Sequence, residues 1–215
     1  YGLDVELVTF NDYVLPNEAL SKGDIDVNAF QHKPYLDQQI KDRGYKLVSV
    51  GNSFVYPIAG YSKKIKSLDE LQPGSQVAIP NDPTNLGRSL LLLQQVGLIK
   101  LKEGVGLLPT SLDIIENPKN LKIVELEAPQ LPRSLDDAQI ALAVINTTYA
   151  SQIGLTPAKD GIFVEGKESP YVNLIVARED NKDAENVKKF VQAYQSDEVY
   201  EAANKIFNGG AVKGW

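Results

Sequence analysis

The middle of the chain reads Gln76-Val-Ala-Ile-Pro-Asn-Asp-Pro-Thr-Asn-Leu-Gly-Arg88 and continues through a leucine-rich run to Gly97. Its first four residues are typical of a strand, and its two prolines make the following loop rigid. Asn85 can cap a helix that runs to Val96, with Gly97 as its stop signal. Strand-like and helical segments alternate in this way along most of the chain. The alternation predicts an α/β protein with largely parallel sheets.

Other segments extend the alternation to both ends of the chain. Leu3 to Phe10 alternates apolar and polar residues and predicts a strand. The continuous apolar run from Ile140 to Ile145 predicts a strand buried on both faces. Ser67 to Glu70 matches a capping box and predicts a short helix. A helical pattern covers Asp183 to Phe207, and we expect it to break near Ser196.

Two apolar, extended stretches suggest that the chain forms two lobes. They lie near residues 56–63 and 168–174, and we expect them to be the segments at which the chain crosses between lobes. The first α/β lobe would then contain residues 1–62 and 172–215, and the second residues 63–171. We expect the C-terminal helical segment to return to the first lobe.

Composition excludes several classes of protein. The chain has 215 residues, with 22 Lys and Arg against 28 Asp and Glu, which gives a net charge of −6. This acidic balance argues against a nucleic-acid-binding protein, which needs a basic surface. Cysteine is absent, so disulfides, cysteine-based zinc sites and cysteine nucleophiles are excluded. No apolar run approaches the length of a membrane span.

A catalytic reading finds little support in the sequence. His32 is the single histidine of the chain, so a zinc site is not expected. No Gly-x-Ser-x-Gly motif is present, and no pair of acidic residues is marked out for acid–base work. We therefore expect no metal and no cofactor. His32 is either a structural residue or part of a ligand site, and an enzyme with His32 as its base stays the alternative.

Arg88 has two readings. We expect it in the first turn of the helix that begins near Asn85. It is either a surface side chain that extends to water, or it holds an anion together with the free N–H groups of the helix N-terminus. A carboxylate would suit the planar, bidentate fork of arginine.

Several other residues lie where strands give way to helices, or within strands. Tyr13, Phe30 and Tyr35 lie at the mouths of the sheet, where open α/β sheets bind ligands. Asn146 follows a buried strand and occupies the same kind of position. Asn173 interrupts an apolar strand, and its amide is either a structural hydrogen-bonding group or a ligand contact.

Four ordered motifs resemble the NlpA lipoprotein family, and the resemblance covers essentially the whole chain. They are Phe10 to Leu20, Asp26 to Tyr35, Pro80 to Arg88 and Ser169 to Asn173. The resemblance implies a two-lobed periplasmic substrate-binding fold of type II that closes on its ligand. It also implies ligand contacts at eight positions: Tyr13, Phe30, His32, Tyr35, Asn85, Arg88, Asn146 and Asn173.

The function implied by this resemblance is that of a monomeric methionine-binding protein, for one or both enantiomers, serving the permease and ATPase subunits of an ABC importer. Members of the family carry a signal peptide, a lipid-bearing cysteine, and a first strand and helix ahead of the segment that begins this chain. We therefore expect a protein anchored by lipid on the periplasmic side of the inner membrane. The alternatives are an enzyme acting on an amino-acid derivative and an envelope lipoprotein without a dedicated transport role.

Residue chemistry suggests how methionine would be held. We expect Tyr13, Phe30 and Tyr35 to line an apolar slot for the thioether, because sulfur packs well against aromatic edges. His32 would be a hydrogen-bonding wall residue of this slot. We expect Arg88 to pair with the ligand carboxylate, and the side-chain oxygens of Asn146 and Asn173 to accept from its ammonium group.

Overall fold

A computed structural model describes residues 1–166 and 169–215. Contacts divide the chain into a first unit, Tyr1–Tyr56 with Glu168–Trp215, and a second unit, Pro57–Lys167. The start of the predicted second crossing segment, at Glu168, lies outside the described residues. The lobe limits expected from the sequence differ from these bounds by a few residues and stay a prediction.

The helices of the described residues are mostly short. In chain order they are α1 (Leu15–Lys22), α2 (Lys33–Arg43), α3 (Pro83–Gln95), α4 (Leu131–Ser134), α5 (Thr147–Ala150), α6 (Pro157–Asp160), α7 (Glu185–Tyr194) and α8 (Asp197–Ile206).

The strands of the described residues belong to three sheets. In chain order they are β1 (Val27–Asn28), β2 (Leu47–Val55), β3 (Ala59–Tyr61), β4 (Gln76–Pro80), β5 (Lys100–Leu101), β6 (Ile114–Glu116), β7 (Lys122–Leu126), β8 (Ile140–Ile145), β9 (Phe163–Val164), β10 (Val172–Arg178) and β11 (Val212–Lys213).

Local signals fix many of these boundaries. The capping box at Ser67 is confirmed, because a turn of 3-10 helix follows it at Leu68–Glu70. The predicted break in the C-terminal helix is also confirmed, since Ser196 caps α8 by accepting a hydrogen bond from the Val199 N–H at 3.3 Å. No helix in the described ranges combines the length and the apolar character needed to cross a membrane.

The sheet of the first unit corrects the expectation of parallel strands. Its order within the described residues is β1-β10-β2-β11, and every neighbouring pair is antiparallel. Strands β1 and β2, which α2 connects, do run in the same direction, as a helical crossover requires. However, β10 lies between them and is antiparallel to both, because the chain returns to this unit in the opposite direction.

Apolar side chains pack on both faces of this sheet. One cluster contains Leu20 of α1 and Leu36 of α2. The other contains Phe54, packed against Ala203 of α8 and Trp215. The first unit is therefore a sheet between two helical layers, and its C-terminal helices belong to it.

The predicted strand from Leu3 to Phe10 is wrong for the described residues. The segment forms no strand, and Leu7 is 86% exposed. An alternating pattern makes a strand only where a neighbouring strand accepts its backbone hydrogen bonds. None of the described strands pairs with this segment.

The second unit contains the parallel pairing that the sequence predicts. Its sheet has the order β7-β4-β8-β3-β9 among the described strands, with β4 parallel to both β7 and β8. Strand β3 is antiparallel to β8 and to β9. The apolar run of β8 is buried as predicted, and α3 packs on the sheet through Leu90 and Leu93.

Truncation of the central strand β8 tests the packing of the second unit. Leu142 is fully buried there, so Leu142→Ala should lower the free energy of unfolding by about 2–5 kcal/mol. Urea unfolding followed by circular dichroism measures the change. Leu112 is 95% exposed, so Leu112→Ala is the control and should change the same quantity by about 0.5 kcal/mol or less. Equal losses in both variants would contradict this packing.

Candidate ligand-binding site

Three of the predicted residues form an aromatic cluster in the first unit. The ring centroids of Tyr13, Phe30 and Tyr35 lie 5.9–6.0 Å from one another. The Tyr35 hydroxyl donates to the Tyr13 carbonyl oxygen at 2.6 Å. This bond joins α2 to the segment before α1 and holds the rings together. The contacts of Tyr35 with Tyr13 and with Phe30 are edge-on, which is a favoured arrangement of aromatic rings.

His32 caps helix α2. Its Nδ1 accepts a hydrogen bond from the Tyr35 N–H at 3.1 Å, so the neutral ring carries its proton on Nε2. The ring is 6% exposed and lies 5.0 Å from the ring of Tyr171, centroid to centroid. His32 therefore has a structural role as the N-cap of α2. A base acting through Nδ1 would have to give up this bond.

Asn173 lies opposite His32 in the sheet of the first unit. The two residues form an isolated antiparallel bridge. The pairing of β10 with β2 also shifts register between Val172 and Leu174. Such irregularities redirect a side chain relative to a regular strand. The side chain of Asn173 is nearly buried, and the bridge places it beside the cap of α2.

A buried amide network in the first unit was not predicted from the sequence. Asn17 and Gln31 exchange side-chain hydrogen bonds at 2.8 and 2.9 Å. Asn28 donates to Asn17 at 3.0 Å and to the Pro16 carbonyl oxygen at 3.1 Å. The network fixes the start of α1 against the strand that leads to Phe30 and His32. Its members were visible in the family motifs, but their pairing depends on contacts 11 to 14 residues apart.

Asp82 caps helix α3 of the second unit, which corrects the prediction that Asn85 is its cap. The Asp82 carboxylate accepts from the Asn85 N–H at 3.1 Å and from the Thr84 hydroxyl at 3.3 Å. Pro83 takes the first helical position, where its missing N–H costs nothing. Burial raises the pKa of the Asp82 carboxyl, and its hydrogen bonds oppose that effect.

Asn85 and Asn146 are in direct contact. Asn85 Nδ2 donates to Asp82 at 2.9 Å, and Asn85 Oδ1 accepts from Asn146 Nδ2 at 3.3 Å. The Asn146 residue is only 7% exposed. Its Oδ1 is buried and accepts no hydrogen bond from any group in the described ranges. Buried polar atoms without a partner are rare, so this oxygen marks a place for a donor.

Arg88 is buried and forms an ion pair. Its Nε and Nη2 donate to the two carboxylate oxygens of Glu165 at 2.9 and 2.6 Å. The side chains are 4% and 12% exposed, respectively. Glu165 also accepts from the Ile58 N–H at 3.5 Å, and its own N–H donates to the Ile58 carbonyl oxygen at 2.9 Å. The pair thus joins α3 to the segment that follows β9.

This geometry corrects two expectations for Arg88. It lies in the second turn of α3, because the helix begins at Pro83, and it is not a surface side chain. Glu165 was missed altogether, since 77 residues separate the partners in sequence. No motif signals such a pairing. Among the residues that the structure describes, no group of acidic residues and His32 could hold a metal ion.

The ion pair has a testable energetic consequence. Removal of one member leaves a buried charge, so Arg88→Ala should lower the free energy of unfolding by about 3–5 kcal/mol. Arg88→Ala combined with Glu165→Gln should recover most of that loss. Urea unfolding of the two variants and the wild type gives the comparison. A double variant no more stable than Arg88→Ala would contradict the pairing.

Small-molecule-binding proteins combine a few polar groups, which hold the charged ends of a ligand, with apolar and aromatic side chains, which hold its apolar part. The described residues include both kinds of group, and they define a small-molecule-binding protein. The NlpA lipoprotein family model matches residues 1–215, and the chain belongs to that family. It is 94% identical over 215 residues to the D-methionine-binding lipoprotein MetQ of Yersinia pestis, covering 100% of this chain and 79% of the relative.

Two solved structures share the fold. A nutrient-binding protein from Burkholderia cenocepacia bound to methionine matches with a TM-score of 0.96 and 55% identity, over 100% of this chain and 89% of that chain. A periplasmic substrate-binding protein of an ABC transporter from Coxiella burnetii matches with a TM-score of 0.95 and 51% identity, over the same shares. The predicted substrate-binding α/β fold is thereby confirmed.

Proposed function

We propose that this chain binds methionine in the cell envelope and supplies it to an ABC importer. The proposal rests on two features of the second unit: the buried Arg88, and the buried Asn146 Oδ1, which accepts no hydrogen bond from the described residues. A free α-amino acid offers a carboxylate and an ammonium group to such a pair. A relative named as D-methionine-binding and a similar solved structure bound to methionine support this choice of ligand.

The carboxylate of the ligand is assigned to Arg88. A guanidinium has five donors in a rigid fork, and Glu165 engages Nε and Nη2. That contact fixes the plane of the guanidinium before a ligand arrives. A fixed arginine binds a carboxylate with a smaller loss of side-chain entropy than a mobile one.

The ammonium group of the ligand is assigned to the Asn146 and Asn173 side chains, as the sequence suggests. Asn146 Oδ1 supports this assignment because it is buried and accepts no bond from the described residues. An ammonium donor would satisfy it with a charge-assisted hydrogen bond. Asn173 is nearly buried beside the cap of α2.

The thioether side chain is assigned to the aromatic cluster of Tyr13, Phe30 and Tyr35. Sulfur–aromatic contacts and apolar burial both favour methionine there. His32 completes the wall as a cap-bound ring and has no catalytic role in this proposal. The binding function replaces the enzyme alternative, since the family relatives are binding proteins.

The cellular setting follows from the family. The protein is proposed to be a lipoprotein of the envelope, anchored on the periplasmic side of the inner membrane. Its partners would be the permease and ATPase of the importer, and it would act as a monomer. An envelope lipoprotein without a transport role is the competing function, and a chain that bound no amino acid would favour it.

Ligand selectivity tests this proposal. L- and D-methionine are titrated by calorimetry, together with L-norleucine and L-lysine. Norleucine has the shape of methionine but lacks its sulfur. Its binding free energy should therefore be weaker than that of L-methionine by at most about 3 kcal/mol. Lysine should bind far more weakly, because its ammonium group would lose water against aromatic rings. Methionine recovered chemically unchanged would exclude the enzyme alternative, and lysine binding as tightly as methionine would contradict the apolar slot.

The assignment of Asn173 has its own test. Asn173→Ala should weaken methionine binding by about 1.5–3 kcal/mol, the value of one hydrogen bond to a charged group. Asn52→Ala is the matched control, because Asn52 lies on the neighbouring strand β2 and its exposed amide bonds to the Gly214 carbonyl oxygen. Calorimetry should show wild-type affinity for the control. Unchanged affinity of Asn173→Ala would show that this site is misplaced.

A further inference from the structure

We infer that Asp82 is a positioning residue, which sets the orientation of the Asn85 and Asn146 amides so that Asn146 presents an acceptor to the ammonium group of the ligand. The inference rests on the proposed methionine-binding function. It adds to the recognition of the amino group a residue that is not among the proposed ligand contacts.

The first step is the acceptor at the helix cap. One carboxylate oxygen of Asp82 accepts from the Asn85 N–H, from Asn85 Nδ2 and from the Thr84 hydroxyl. A backbone N–H is always a donor, so this oxygen is fixed as an acceptor. The Asn85 amide must therefore turn its nitrogen towards Asp82, and its oxygen points the other way.

The second step passes this orientation to Asn146. Because Asn85 presents Oδ1, the neighbouring amide must present its nitrogen, and Asn146 Nδ2 donates to it at 3.3 Å. The two ends of an amide are opposite in character. The remaining end of Asn146 is consequently Oδ1, the buried atom that accepts nothing from the described groups.

The hydrogen bonds from Asp82 through Asn85 to Asn146 form a relay, and reversing its amides would reverse which ligand group Asn146 can bind. If Asn85 were turned over, Asn146 would offer Nδ2 in place of Oδ1, and two donors would face each other where an ammonium group binds. The cap of α3 thus determines whether Asn146 presents an acceptor or a donor to the amino group. Asp82 has this effect through Asn85 and Asn146.

Two substitutions at Asp82 separate this role from helix capping. Asp82→Ser keeps a good N-cap, but its shorter hydroxyl does not hold Asn85 Nδ2. Asp82→Asn keeps a carbonyl oxygen of the same reach and is the rescuing variant. Each is titrated with L-methionine and with 4-(methylthio)butanoate, which has the carboxylate and thioether but no amino group.

The measured quantity is the preference for methionine over the analogue, expressed as the ratio of their dissociation constants. Asp82→Ser should reduce this ratio by about 10- to 100-fold, the equivalent of one charge-assisted hydrogen bond. Asp82→Asn should stay near the wild-type ratio. General damage to α3 would instead weaken both ligands alike, because Arg88 lies on the same helix. Parallel losses, or an unchanged ratio in Asp82→Ser, would overturn the inference.

A ligand-free readout keeps this result distinct from failure of the proposed function. Nitrogen-15 NMR of the Asn146 side-chain amide should show slow hydrogen exchange in the wild type and in Asp82→Asn, and faster exchange in Asp82→Ser. Equal exchange in all three would overturn the relay even where methionine binds. Absence of methionine binding to the wild type would instead contradict the proposed function itself, and equal wild-type affinity for methionine and the analogue would overturn the role assigned to Asn146.

Discussion

Buried polar contacts hold helix α3, and the candidate ligand-binding residues of the second unit depend on them. Asp82 holds the first turn through hydrogen bonds, and Glu165 holds the second turn through its ion pair with Arg88. Neither contact is needed to pack α3 against the core, because the leucines of the helix already bury its apolar surface. Buried polar groups of this kind are costly unless fully paired. Here they fix the orientation of an amide and a guanidinium.

In the first unit, neutral groups hold the candidate ligand residues in place. His32 caps α2, three buried amides join α1 to the strand beside it, and a tyrosine hydroxyl joins the aromatic rings. Two of these bonds tie His32 and Tyr35 to backbone, and the amides hold the neighbouring strand against α1. Side chains that are held in place before a ligand arrives lose less conformational entropy on binding.

Local chemistry was readable from the sequence, and long-range pairing was not. The capping box at Ser67 and the helix break at Ser196 follow from residues a few positions apart. The cap of α3 was assigned to Asn85, although Pro83 as a first helical residue already favours Asp82.

No sequence pattern predicted the contacts between distant segments. The partner of Arg88 lies 77 residues away. The antiparallel sheet of the first unit arises because β10 returns between β1 and β2. Alternation of helices and strands predicts the direction of connected strands but not which strand lies between them. The candidate ligand residues were found because family motifs mark them, whereas Asp82 and Glu165 required the structure.

A crystal structure of the protein grown with L-methionine would show directly which group of the ligand Asn146 contacts. We expect the ligand nitrogen about 2.7–2.9 Å from Asn146 Oδ1, as in a charge-assisted hydrogen bond, with the ligand carboxylate on the Arg88 guanidinium. A ligand in the reverse orientation, with its carboxylate against Asn146 and its ammonium group away from it, would show that Asn146 does not recognise the amino group.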